Sequence, residues 1–236
     1  MYRPVSPLGV LAAAALWLLC SGPVAAEPVD DFHTWGAVVA TGTVGGADSA
    51  LRFWAEGQGR FNDDSSRRNQ GLLRVAGGYE IAPRTVLWAG YGYFTTDPIG
   101  VPDAIVEHRI WQQLTWRAAQ PIAGVTVSTR SRLEQRMIES AEETGWRARQ
   151  LVKLSYPLSA GERVYLALWD EVFINLDDTD WGADDGFDQN RAFAGLGFKL
   201  APHLRSEVGY MNQYVARANR DDASNHVLSL TLFLDF

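Results

Sequence analysis

The stretch VTVSTRSRLEQRM places Val125, Val127, Leu133 and Met137 on one side of an extended chain and Arg130, Arg132, Glu134 and Arg136 on the other. A period of two is the mark of a strand, whose side chains alternate between faces. What constrains the fold is the chemistry of the second face. Several guanidiniums without matching carboxylates cannot line a dry core, because each unpaired charge taken out of water costs several kcal/mol. The charged face must therefore look outward from a soluble barrel or inward from a membrane barrel with an apolar exterior.

The same division recurs along the chain. In WRARQLVKLSYPL, Val152, Leu154, Tyr156 and Leu158 oppose Arg147, Arg149 and Lys153; in RAFAGLGFKL, apolar residues oppose Arg191 and Lys199. In the last stretch, HVLSLTLFLDF, Leu228, Leu230, Leu232, Leu234 and Phe236 share one face. Eleven such segments are read: 34–43, 51–61, 71–81, 85–96, 105–118, 125–139, 145–158, 163–176, 190–200, 204–216 and 226–236. Short connections (APRT, QPIAG, SAGE, APH) alternate with longer polar ones such as NDDSSRRN, TTDPIGVPD and DDTDWGADDGFDQ. That asymmetry is the habit of outer-membrane barrels, with periplasmic turns and cell-surface loops.

The beginning of the chain agrees with export. Arg3, the apolar run Leu8–Cys20 and the small residues Val24–Ala26 have the form of a secretory signal peptide over residues 1–26, cleaved before Glu27. Cys20 is the single cysteine, so neither disulfides nor thiol-bound metals organise residues 27–236, which are read as one barrel domain. The formal charge of -7 argues against a nucleic-acid partner. Tryptophans and tyrosines such as Trp116, Tyr156 and Tyr210 suit the aromatic girdles at the two membrane interfaces.

These observations predict an all-β fold: an antiparallel transmembrane β-barrel of the Gram-negative outer membrane. Bacterial single-chain barrels have even strand numbers with both termini in the periplasm. Eleven segments break that rule, so twelve strands are expected and ten is the alternative; either a strand is missed or TWGAVVATGT is not a full one. The terminal aromatic, Phe236, is expected to serve as the insertion signal read by the barrel-assembly machinery.

The motifs EHRIWQQL (Glu107–Leu114), RLEQR (Arg132–Arg136), WDEVFINL (Trp169–Leu176), FDQNRAFAGLGF (Phe187–Phe198) and VGYMNQY (Val208–Tyr214), in this order and spacing, resemble a family of bacterial outer-membrane proteins known as domain of unknown function 2490. The resemblance covers nearly all of the chain after residue 26. It implies a barrel and an outer-membrane location, and brings no activity.

Function must then be argued from residues. The face carrying the charges collects Arg52, Arg60, Arg74, Arg109, Arg117, Arg130, Arg132, Arg136, Arg147, Arg149, Lys153, Arg191, Lys199 and Arg205 against Glu56, Glu80, Glu107, Glu134, Glu171 and Glu207. An excess of arginine in a narrow lumen suits anions, and the guanidinium fork suits carboxylates and phosphates. The first expectation is a narrow pore for small anionic solutes; the alternatives are a plugged structural barrel or a lipid-modifying enzyme. The expected surroundings are outer-membrane lipid and lipopolysaccharide.

No catalytic set, cofactor site or metal site is read. His226 and Ser229 are three apart on a strand and face opposite ways; Ser224 and His226 share a face but lie at a loop edge. The acidic loop DDTDWGADDGFD lacks calcium-loop spacing. The glycines of GYGYF and GLGF relieve crowding within strands. Asp170 and Glu171 are adjacent, so one of them must face lipid; the reading is that Asp170 sits near a rim and Glu171 pairs with a luminal arginine.

Overall fold

The structure, a computed structural model, describes residues 28–236 apart from 47, 99, 101, 160, 162 and 218–220. The expected signal peptide, residues 1–26 with Cys20, lies outside the described residues. The strands are β1 (Val29–Thr43), β2 (Leu51–Asn62), β3 (Arg67–Ala82), β4 (Thr85–Thr96), β5 (Ile105–Arg117), β6 (Thr126–Ile138), β7 (Thr144–Pro157), β8 (Val164–Asn175), β9 (Gly186–Ala201), β10 (Leu204–Val215) and β11 (Ala223–Asp235). Each pairs with its sequence neighbours, and β1 pairs with β11 to close the barrel.

The count among the described residues is eleven, neither the twelve nor the ten expected. The segment TWGAVVATGT lies wholly within β1 and is hydrogen-bonded on both sides. Closure is possible with an odd number because β1 and β11 pair in parallel, from Val29↔Ala223 to Thr41↔Asp235, while every other pair is antiparallel. Evenness followed from placing both termini at one rim. Here Val29 and Phe236 lie at opposite rims, and a parallel seam costs only slightly in pairing stability per residue.

Several strands run past the apolar alternation that marked them. β1 begins at Val29 rather than at Thr34, and β3 at Arg67 rather than at Gly71. The β3 extension (67–70) is polar on both faces, and that of β1 mixes Asp30, Asp31 and His33 with Val29 and Phe32 on either face, so apolar alternation does not report them. The stretch NDDSSRRN consequently shrinks to a tight turn over 63–66, with Asp63, Asp64 and Ser65 all at positive φ. The rim of Val29 also carries connections 97–104, 139–143, 176–185 and 216–222, and the opposite rim 44–50, 83–84, 118–125, 158–163 and 202–203. The loop asymmetry is thus weaker than expected, because 44–50 and 118–125 match most of the loops opposite.

The faces are those of an inside-out protein. Leu73 (63% exposed), Val75, Tyr79, Ile110, Val152 and Leu228 stand on the outer surface, while Arg74, Glu107, Arg132 and Glu134 are buried inside. Trp116 and Tyr210 are exposed on the outer wall and Tyr156 is half-buried there. Most other tryptophans do not form a girdle: Trp35, Trp88 and Trp111 are buried in the interior. On β1 and β8–β11 the interior is an apolar cluster of Trp35, Tyr165, Ala167, Phe193, Met211 and Val227, with Trp169 stacked on Phe193 at 5.1 Å. Glycines make room for these rings. A Cβ at Gly195 would lie 2.4 Å from the Val208 carbonyl oxygen and 2.5 Å from the Phe193 ring, and one at Gly90 would lie 2.4 Å from Trp111. Alternating large and small interior residues is how a small barrel fills itself.

The charged lumen as candidate functional site

The lumen is organised by carboxylates that each gather several cations. Glu134 of β6 is fully buried and takes Arg149 Nη1 at 2.6 Å, Arg147 Nη2 at 2.8 Å, Arg132 Nη1 at 3.3 Å and Arg109 Nη1 at 3.6 Å. Register makes this hub. Glu134 pairs with Arg147 across the β6–β7 ladder, and Arg132 stands directly opposite Arg149. Two guanidiniums facing each other would repel, and the carboxylates diagonal to them offset that repulsion.

Glu107 accepts two hydrogen bonds from Arg109, each at 2.7 Å, and two from Arg136, at 2.6 and 3.4 Å. Glu171 accepts from Arg149 at 2.8 Å and from Arg130 at 2.9 Å. Glu56 accepts from Arg74 at 2.6 Å. Nearer the Phe236 rim, Glu207 accepts from Lys153 Nζ at 2.5 Å and from the Tyr165 hydroxyl at 2.8 Å. Arg205 donates to Asp235 there, and Arg52 pairs with Glu80. Charge-assisted, partly bidentate bonds of this kind are the strong ones, and they hold their geometry.

Aromatic rings floor the guanidiniums. Arg109 lies 3.7 Å above Phe94, Arg132 4.2 Å above Trp111, Arg149 4.3 Å above Phe173 and Arg60 3.9 Å above Trp35. A desolvated cation over a ring is worth about 2 kcal/mol. Arg60 and Arg191 stand apart from the network. Among the described residues neither has a carboxylate within ion-pair distance; Arg60 donates to Gln58 and Gln70, Arg191 donates to Gln189, and both face Trp35. Buried donors outnumber their acceptors: Trp35 Nε1, Trp111 Nε1, Gln113 Nε2 and Arg132 Nη2 have no hydrogen-bond partner among the described residues.

Arg52, Arg60, Arg74, Arg109, Arg130, Arg132, Arg136, Arg147, Arg149, Lys153, Arg191 and Arg205 point into the barrel with Glu56, Glu80, Glu107, Glu134, Glu171 and Glu207. Arg117 and Lys199 are exposed near the Phe236 rim and leave the set. Two acids missing from the sequence reading join it: Asp235, and Asp188, which holds Arg147 at 2.8 Å. Strand parity places Asp188 outside. A bulge opposite Phe173 and Ile174 makes it the extra residue and turns it inward. Twelve cations then face eight acids, a surplus of four rather than eight.

Of the adjacent acids, Glu171 is luminal and ion-paired, but Asp170 is not near a rim. It lies mid-strand on the outer face of β8, where Asn190 Nδ2 is 3.0 Å from both its oxygens. Ser224 Oγ accepts from Asn212, and the His226 ring bonds the Tyr210 hydroxyl at 2.7 Å. The acidic loop uses its carboxylates on backbone: Asp177 accepts from the Trp146 N–H, Asp180 from Glu142 and Asp178 from Asp185. Among the described residues no group of three or more His, Cys, Asp or Glu could hold a metal ion.

The class these features define is a closed β-barrel with an apolar outer wall and a charged, side-chain-filled interior. Residues 32–225 match the family described as "Protein of unknown function (DUF2490)", and the chain belongs to that family. An uncharacterised protein of Methylorubrum extorquens is 34% identical over 229 residues, covering 96% of this chain and 97% of the relative. Among solved structures, the NanC porin superposes with a TM-score of 0.47 at 10% identity, over 81% of this chain and 93% of its own. A loop-L8 deletion mutant of OmpT, an outer membrane protein of Vibrio cholerae, superposes with a TM-score of 0.41 at 16% identity, over 71% of this chain and 54% of its own.

Proposed function

We propose that the protein spans the Gram-negative outer membrane as a barrel whose bore is closed at mid-depth. The observation that carries this reading is the filling of the lumen: Trp111, Glu134 and Phe173 are each 0% exposed. A water-filled bore would leave its lining accessible to solvent, whereas here long side chains reach across it: Arg191 lies 4.9 Å from the Trp35 ring and 4.6 Å from that of Phe173, and Lys153 lies 5.4 Å from that of Phe233. The outer wall supports the membrane location, since a belt of exposed Leu, Val, Ile and Tyr is stable against hydrocarbon and would be an aggregation hazard in water. The anion pore, put first by sequence, becomes the second reading, favoured by the cation surplus around Arg60 and Arg191. Recordings on protein refolded into planar bilayers should show no resolvable channel in potassium chloride. Stepwise open-channel conductance would sink the closed-bore reading and restore the pore.

Topology is proposed with the acidic loops outside. Single cysteines at Ser65, Asp184 and Ser159 test it, with Val29 added because the parallel seam puts it at the rim of Ser65. An impermeant thiol reagent on intact cells should label Val29→Cys, Ser65→Cys and Asp184→Cys, and spare Ser159→Cys. Labelling of Ser159→Cys alone would invert the barrel. Phe236 is proposed as part of the assembly signal; the residue is 66% exposed and its ring lies 6.3 Å from that of Phe53. Deleting it should lower outer-membrane yield several-fold more than Asp235→Asn does, and equal yields would remove the assignment.

A further inference from the structure

The outer wall is not uniformly apolar. Gln112 on β5, Ser131 on β6, Gln150 on β7 and Asp170 on β8 all point outward, each five to seven residues from either end of its strand. At the matching outward positions of the other seven strands stand Gly36, Gly57, Val75, Tyr91, Ala194, Tyr210 and Leu230. The polar groups therefore lie at the middle of the hydrocarbon belt, on four consecutive strands. Amides and a carboxylate are penalised at that depth, and where they occur they mark a surface that protein covers. Two of them hold one another locally: the Ser131 hydroxyl donates to Gln150 Oε1 at 2.6 Å. Gln112 Oε1 accepts from Gln135 at 3.2 Å.

The wall is also concave here. Ser131 and Ala148 floor a groove of about 430 Å³, walled by Leu114, Leu133, Gln150 and Ile174 among others. Small residues between long ones leave a socket for side chains of a packed neighbour, and close approach of this kind drives association within membranes.

We infer that the β5–β8 wall is the interface through which two copies of this chain form a twofold dimer in the membrane. The inference rests on the membrane reading above. Three features point to a second copy. The groups lie at mid-belt, so the occupant must itself span the bilayer. Gln112, Ser131 and Gln150 each carry a donor and an acceptor, so the wall is complementary to itself, which a twofold contact requires. Asp170, the one charge among them, already has both oxygens at the Asn190 amide, so the wall does not demand a cationic partner. Hydrocarbon chains would fill the groove without meeting any of its polar groups.

The test is the stoichiometry of the refolded full chain in lipid nanodiscs, by mass photometry and native mass spectrometry. The heat-modifiable shift in gel mobility serves as the independent readout of an inserted barrel. The parent should be dimeric, and Gln112→Leu with Gln150→Leu should raise the dimer dissociation constant at least about tenfold, roughly 1.4 kcal/mol. Leu73→Ala with Val75→Ala, on β3 and outside this wall, should leave the dimer intact. An inserted but monomeric parent would overturn the dimer alone, and failure to insert would overturn the membrane reading with it. A dimer indifferent to the two leucines, or lost with the Leu73 and Val75 changes, would place the contact on another wall. A monomer from native membranes stoichiometrically bound to a different protein would give the wall another occupant and also overturn the proposal.

Discussion

Glu134→Gln should destabilise the barrel by about 3–5 kcal/mol, the cost typical of breaking a buried ion pair by removing one partner. The substitution keeps the shape and removes only the charge. Four guanidiniums converge on this fully buried carboxylate, at 2.6 to 3.6 Å. After the change, Arg132 is left without an ion pair among the described residues, while Arg109 retains Glu107, Arg147 retains Asp188 and Arg149 retains Glu171. A cation so confined can neither reach water nor move away. Urea unfolding in micelles, followed by tryptophan fluorescence, measures the effect. The comparison is Arg68→Gln, which breaks an ion pair with Asp97 whose arginine is 61% exposed and should change stability by less than about 1 kcal/mol. Equal stability of Glu134→Gln and the parent would mean that packing of the rings, rather than the charge network, holds the interior together.

The second large effect is expected from opening the bore. Trp35 and Trp111 are 4% and 0% exposed, and they floor Arg60, Arg191 and Arg132. Replacing both by Ala removes two buried indoles from β1 and β5, four strands apart, at about 3–5 kcal/mol each. The electrophoretic fold assay must therefore show an intact barrel before conductance is read. The double variant should conduct where the parent is silent, and its reversal potential in a potassium chloride gradient should indicate chloride preference. The reason is the surplus of four cations, which stay charged at any physiological pH and act in a narrow bore where field lines are confined. Adding Arg60→Gln and Arg191→Gln removes the two luminal arginines without a carboxylate at ion-pair distance among the described residues, and should abolish most of that preference without touching the Glu134 hub. Cation preference in the opened barrel would overturn the electrostatic reading of the lumen.

How much of this was legible in the sequence follows from which features are local. All eleven strands were marked by alternation, because which side of a strand a residue takes depends on its immediate neighbours alone. Arg130, Arg132, Glu134 and Arg136 could be set on one face of β6 without any knowledge of β7. The polar strand ends, such as Asp30, Asp31 and Arg67, carried no such mark, since both of their faces meet water or one another. Asp188 was read as part of the loop DDTDWGADDGFDQ, because its inward turn depends on a bulge, and a bulge depends on how β8 and β9 meet.

Closure, filling and partnership belong to the tertiary structure. The strand number turned on which edges join, and the parallel β1–β11 seam admits an odd count that chain direction alone argues against. Whether a row of arginines lines a channel or a plug depends on how far side chains reach from the opposite wall. That distance is set by the barrel's diameter, and Phe173, Trp111 and Glu134 are each left with no exposed surface. The sequence by itself determined that one face of nearly every strand is apolar and the other charged, because a two-residue period is a property of the extended backbone. Only the assembled barrel decided that the charged face is neutralised in hubs and leaves four cations over, because those outcomes depend on residues far apart in the chain arriving within hydrogen-bond distance of each other.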